Sequence, residues 1–270
     1  DISNTPSFGD ILAMNDAGNY EFNVVDNVAG ATVNFVYELS RSYDPAGVVQ
    51  LVTVPNYNNA NITGTLTCDV WDGAKGGILV FNDYGTTAFN ADIDVQGMGF
   101  QTNKVQTTGW ASCITNFIAN ESSIEARKGE GIHILGTTYT KGPGAPANAG
   151  GGGITDNGAG GGGNFDNGGM GGNDGWIVGA CGMNAGGGRA LTYDNVTNRI
   201  YVGASGGNAQ KSEGGGINYG EDGGGLVIII SNEIVGNGFT INASGDDCVT
   251  AVQDGGGGGG AGGTVLLTCP

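Results

Sequence analysis

Positive charge is scarce in this chain. Nine Lys and Arg stand against 26 Asp and Glu, for a formal net charge of −17 and a pI near 4.1. A phosphate backbone is held by clustered Lys and Arg, so the imbalance argues against nucleic acid as a partner. Histidine occurs once, at His133, and no two cysteines stand at a CxxC spacing, which removes the usual zinc patterns. His133 alternates with Ile132 and Ile134 and has no Gly-x-Ser-x-Gly elbow nearby, so it reads as an outward-facing side chain and not as the base of a hydrolase. No apolar run approaches the ~18 residues of a membrane span. Asp1-Ile2-Ser3-Asn4 has neither the basic nor the apolar region of a cleavable signal. No Gly-Lys-Ser/Thr follows any Gly-x-Gly, which leaves no phosphate loop. Helix signals are nearly absent.

Glycine is what the chain has instead. Of its 57 glycines, 40 fall between Gly150 and Gly263, interleaved with short apolar strands. One layout recurs: a Gly-Gly pair, an apolar strand, a turn, a second strand and another Gly. It opens at Gly76-Gly77, Gly187-Gly188, Gly224-Gly225 and Gly262-Gly263, with steps of 37 and 38 residues between the last three. Self-similarity of this length predicts stacked repeats. The first strands are continuous apolar runs, as in Leu226-Val227-Ile228-Ile229-Ile230, and suit a buried parallel sheet. The second strands alternate, as in Ile93, Val95 or Phe239, Ile241, Ala243.

Gly-rich excursions of 16 to 17 residues (207–223 and 246–261) separate the copies. Set side by side at roughly the 4.8 Å strand spacing, they would pack as extended polyglycine helices with polyproline II geometry. The expected fold is therefore all-β: a parallel β-helix, or solenoid, with polyglycine-II-like excursions and an N-terminal β cap. Residues 1–45, where glycine is sparse, form the cap, because a solenoid end is an unpaired sheet edge. Residues 46–270 form the Gly-rich β-helix, open at its C-terminal end.

Part of this stretch resembles a known group. The runs Val49-Gln50-Leu51-Val52-Thr53-Val54-Pro55, Thr63-Gly64-Thr65-Leu66-Thr67, Trp71-Asp72-Gly73-Ala74-Lys75-Gly76-Gly77-Ile78-Leu79-Val80-Phe81 and Asn90-Ala91-Asp92-Ile93-Asp94-Val95-Gln96-Gly97-Met98-Gly99-Phe100 resemble the Gly-rich, β-helical N-terminal region of large secreted and cell-surface proteins of Bacteroidetes. The run ending Gly262-Gly263-Thr264-Val265-Leu266-Leu267 is similar to the same group, and the resemblance covers most of residues 44–268. It implies export by the type IX, gliding-associated route and a place outside the cell or on its surface. It implies no activity. Such proteins continue into further modules and a C-terminal sorting domain, which residues 1–270 do not contain.

Candidate chemistry is thin. The five cysteines, Cys68, Cys113, Cys181, Cys248 and Cys269, lie far apart. They read as buried thiols, as disulfides in an oxidising exterior, or as an intermolecular bond through Cys269. Asp156, Asp166, Asp174, Asp222, Asp246 and Asp247 sit in Asx-Gly turns or acidic pairs and are weak Ca²⁺ candidates; the sequence points to no other cofactor. Asp92 and Asp94 share a strand face, with Arg189, Arg199 or Lys211 as bases that neighbouring coils would supply for a polysaccharide lyase. Solvated outward charges explain the same residues, and a glycosidase carboxylate pair is equally unspecific. Trp110, Trp176, Tyr193 and Tyr201 are candidate ligand aromatics for a glycan-binding adhesin.

The run Thr264-Val265-Leu266-Leu267, with Cys269 beside it, is an apolar strand with no cap after it. It is the expected assembly edge, and its partners would be other copies of this chain or further coils of a parent. The reading is a non-enzymatic extracellular structural or adhesive module, assembling end to end into a filament. A carbohydrate-active enzyme or a glycan-binding adhesin on the same scaffold are the alternatives.

Overall fold

The computed structural model describes residues 1–109, 116–154, 156–173, 183–194, 198–212, 218–248 and 254–269. Its strands are β1 (Val25–Ala29), β2 (Thr32–Phe35), β3 (Asn56–Tyr57), β4 (Asn61–Ile62), β5 (Ile78–Phe89), β6 (Ile93–Asp94), β7 (Thr107–Thr108), β8 (Gln210–Lys211), β9 (Leu226–Val235), β10 (Ile241–Asn242) and β11 (Thr264–Thr268). The two longest apolar runs, β5 and β9, lie side by side in parallel, Ile78 opposite Leu226 and Phe81 opposite Ile229. β11 adds to the far side of β9, Thr264 opposite Leu226, and β3 and β4 pair with β5. The order is β11-β9-β5-β3, all parallel.

Both faces of this sheet are covered, which is why its strands are apolar throughout. On one face Phe81, Val227 and Ile229 pack with Ile62, Phe89, Ile93 and Val95. On the other, Val80, Leu226 and Ile228 meet Val52, Val54, Ile200 and Val202. The register of β5 against β9 slips between Asp83 and Thr86, and the slip folds around a buried carboxylate. Asp83 accepts the amides of Asn59, Ala60 and Gly85 and the Thr87 hydroxyl. Desolvation opposes ionisation there, but these four donors outweigh it and pull the pKa down to about 2.

The rest of the molecule is a block of glycine segments. Gly150, Gly151, Gly152 and Gly153 donate in turn to the carbonyls of Ser205, Gly186, Gly142 and Asn208. Three neighbours are served in three residues, and the fourth amide returns to the first neighbour three residues on. This is a threefold extended chain, not the twofold pleat of a strand. Directions mix: Gly203, Gly206 and Ala209 donate antiparallel to Gly224, Glu221 and Asn218, whereas Glu221 and Gly224 donate in parallel to Gly258 and Ala261. Packing is close enough to leave no room for a side chain. A Cβ on Gly160 would lie 1.9 Å from the Gly186 oxygen, and one on Gly188 1.8 Å from that of Asn148.

The expected parallel β-helix is therefore corrected. Strands and isolated bridges make up about 23% of the described residues, in small sheets of mixed parallel and antiparallel sense, and no solenoid forms among them. The copy opening at Gly187 supplies no strand to the central sheet; its glycines enter the block. The glycine runs, expected as excursions from the corners of coils, are the body against which the sheet lies. The N-terminal cap is corrected as well. β1 and β2 form an antiparallel hairpin that pairs with no other strand among the described residues, while Val25 and Val28 stay exposed. What fixes the N-terminus is Phe8, buried under the Lys128 ammonium 4.4 Å from its ring centroid.

Two outcomes check this packing. Gly160→Ala must move backbone and should cost about 3 kcal/mol or more in urea unfolding, whereas Gly169→Ala, whose Cβ meets nothing within 4 Å, should change stability by less than about 0.5 kcal/mol. Asp83→Asn should cost about 2–3 kcal/mol at pH 7, since hydrogen bonds to a charged group are lost. The folded pKa of Asp83 lies below the ~3.9 of an unfolded Asp, so its contribution is full above pH 4 and fades toward pH 2. The gap between wild type and Asp83→Asn should close over that window.

Candidate assembly edge

In a parallel ladder the amide and carbonyl of one residue point to the same side. The Thr264 amide donates to Gly225, so Thr264, Leu266 and Thr268 face β9. Val265 and Leu267 then direct their backbone groups to the free edge, and their side chains are exposed. The glycine segment before β11 continues this edge at threefold spacing. Gly258 and Ala261 donate inward to Gly207 and Ala204, and Gly260 and Gly263 to Asp246 and Ala243. The amides of Gly259 and Gly262 have no partner among the described residues. Cys269 is exposed at the end of this edge with a free thiol.

An aromatic step borders it. Tyr193 donates its hydroxyl to Asn164 at 2.6 Å and lies 2.9 Å from the Thr264 hydroxyl. Its ring meets Tyr201 edge-on at 5.4 Å and Phe165 at 5.9 Å. Tyr201 is buried, and burial lifts its phenol to about 12. Phe165, 74% exposed, is the ring the sequence did not single out. Trp110 and Trp176 lie outside the described residues, as do Cys113, Cys181 and Asp174.

The other predicted residues scatter. Asp92 accepts the amide and hydroxyl of Thr240, and Asp94 the amide of Gln96. Arg189 grips Asp10 and the carbonyls of Phe8 and Ala145, and Arg199 holds Asn15 and Asn19. Lys211 is buried in β8. The arginines thus clamp the N-terminal segment and do not converge with Asp92 and Asp94. Of the Ca²⁺ candidates, Asp222 is buried and bound to Lys104 at 3.0 Å, Asp246 accepts Gln96, the Asp156 amide donates to Gln210, and Asp166 and Asp247 are exposed. Among the described residues no three His, Cys, Asp or Glu side chains gather as metal ligands. Cys68 and Cys248 are free thiols, and burial, aided by the Asp69 charge, pushes Cys68 up to about 11. His133 is an exposed side chain on the rim of a groove.

That groove, about 2470 Å³, runs between the N-terminal segment and the outer face of the sheet. On its wall stands the half-buried carboxylate of Glu130, which sequence reasoning missed because its partners lie 29 and 59 residues away. Glu130 accepts the Trp71 indole at 3.0 Å and the Gln101 amide at 3.2 Å. Burial raises its pKa, the two donors offset part of the rise, and Asp222 adds to it. With both oxygens engaged, Glu130 ties the start of β5 to the glycine block. Lys128 nearby gives its ammonium to the carbonyls of Phe117, Gly142 and Gly144. Burial drives its pKa well down, against the pull of those three acceptors.

Comparison with protein families, with curated proteins and with solved structures finds no match. No helix among the described residues is long and apolar enough to cross a membrane.

Trp71→Phe should leave one oxygen of the half-buried Glu130 without its donor, a loss of about 1 kcal/mol. Because the penalty falls on the charged form, the deficit measured by urea unfolding should be largest above the raised pKa of Glu130 and shrink below it.

Proposed function

We propose that this chain is a non-enzymatic structural and adhesive module that works outside the cell or on its surface and assembles with copies of itself. The observation that carries the reading is the free edge of β11. There Val265 and Leu267 offer backbone groups with no partner among the described residues, and exposed apolar side chains, at the border of an all-parallel sheet. Natural edges are blunted with charge, proline or a covering loop, and this one has none of these among the described residues. Strand addition at such an edge supplies main-chain hydrogen bonds at once. The acidic, lysine-poor composition and the likeness to exported Bacteroidetes surface proteins support an extracellular setting.

The test is assembly of the purified chain, followed by light scattering and negative-stain electron microscopy with and without reductant. Assemblies that grow with concentration are expected. Leu267→Lys should raise the concentration needed by at least tenfold while leaving the thermal midpoint within about 2 °C, as for a surface change. A wild-type chain that remains monomeric at millimolar concentration, or assembly indifferent to Leu267→Lys, overturns the reading.

A further inference from the structure

The sheet has a second free edge, and it matches the first. Residues 50–55 lead into β3, which pairs in parallel with β5. The Gln50 side chain is joined to Gly76, Asn82 donates to the Pro55 carbonyl at 2.9 Å, and Asn56 lies opposite Asn82. The Pro55 carbonyl therefore faces β5, its missing N–H falls at the first residue of the pairing, and carrying that parity back along the chain turns Val52, Val54 and Asn56 outward. Of these, the Val54 carbonyl receives only the Asn56 side-chain amide, at 3.3 Å. No strand pairs with this side among the described residues, and Val49 and Leu51 are 54% and 66% exposed.

The two edges complement each other in three respects. All four strands of the order β11-β9-β5-β3 point the same way, so a second copy displaced along the stacking direction presents its residues 50–57 to β11 in the parallel sense. The donor and acceptor rows interlock: continuing the columns Thr53, Leu79, Val227, Val265 and Val54, Val80, Ile228, Leu266 sets Val265 opposite Thr53 of the next copy. Its amide and carbonyl then reach Val52 and Val54, the residues whose groups point outward. Charge is absent from both sides. In a chain with net charge −17, no Asp, Glu, Lys or Arg occurs in residues 45–68 or 255–269, so the contact avoids the self-repulsion the rest of the surface would impose.

We infer that β11 of one copy is completed by residues 50–57 of a second copy, in parallel and with Val265 opposite Thr53. The contact rests on the self-assembly reading above and specifies its partner. It is heterologous: the surface used at one end differs from that at the other, so each addition leaves a fresh β11 edge and the array stays open.

Two variants in a Cys269→Ser background test it, each adding one exposed cysteine: Thr53→Cys and Val265→Cys. Mixed and mildly oxidised, they should give a covalent dimer that neither forms alone, since opposed residues of neighbouring strands fall within disulfide reach. Gln50→Cys mixed with Val265→Cys, three residues out of register, should cross-link at least tenfold less. Cross-linking of Val265→Cys with itself would mean a two-fold pairing of β11 edges and would sink the inference. So would assembly, seen by light scattering, with no Thr53–Val265 link, although self-assembly would then survive. Absence of assembly removes both.

Discussion

The close approach of glycine backbones is the constraint on which the rest of this structure depends. At Gly150, Gly160, Gly188 and Gly258 a Cβ would sit 1.8–1.9 Å from a neighbouring carbonyl oxygen. Only chains without side chains reach this spacing, and at this spacing amides bond outward in three directions. Ordering each glycine costs about 1–2 kcal/mol of backbone entropy, comparable to the net gain from its hydrogen bond. The block therefore needs every segment in place, and it is held from outside by side chains that bridge to it. Lys128 and Arg189 fasten the N-terminal segment through Phe8, while Glu130 fastens the sheet through Trp71.

The parallel sheet and the block are one construction. Gly225 and Gly263 end block segments and lead directly into β9 and β11, so the threefold chain becomes a twofold strand within a residue or two. Every glycine segment that reaches the sheet thereby sets the height of the strand that follows it. The edge of β11 and the amides of Gly259 and Gly262, which have no partner among the described residues, are consequently parts of one border. A partner at that border would meet glycine backbone and apolar strand together.

How much of this was legible in the residues depends on whether side chains carried the message. The recurring Gly-Gly pairs at 76, 224 and 262 precede Ile78, Leu226 and Thr264, the three residues aligned across the sheet. The second strands follow the same repeat, Ile93 lying opposite Ile241. The copy at Gly187 carries the same signature and still joins the block, since Leu191 and Tyr201 pack there and nothing in its layout distinguishes the two fates. Inside the block the pattern is blank, because a run of glycines has no face, so neither the direction nor the neighbours of a segment can be read from it. That blankness turned a mixed array into an expected solenoid. The pairings of Glu130 with Trp71 and of Lys128 with Phe8 span many residues and leave no local trace. By contrast, the apolar run at Thr264 was visible as an edge candidate, whereas its match with residues 50–57 emerges only from hydrogen-bond parity.

The interior of the glycine block has a thermal consequence. Unfolding an ordinary domain of this length exposes mostly hydrocarbon, which gives a large heat-capacity change and a sharply curved stability profile. Here much of what becomes exposed is peptide group, and hydration of polar surface lowers the heat capacity instead of raising it. The profile of this chain is accordingly expected to be shallower than that of an ordinary domain, with less stability lost on cooling.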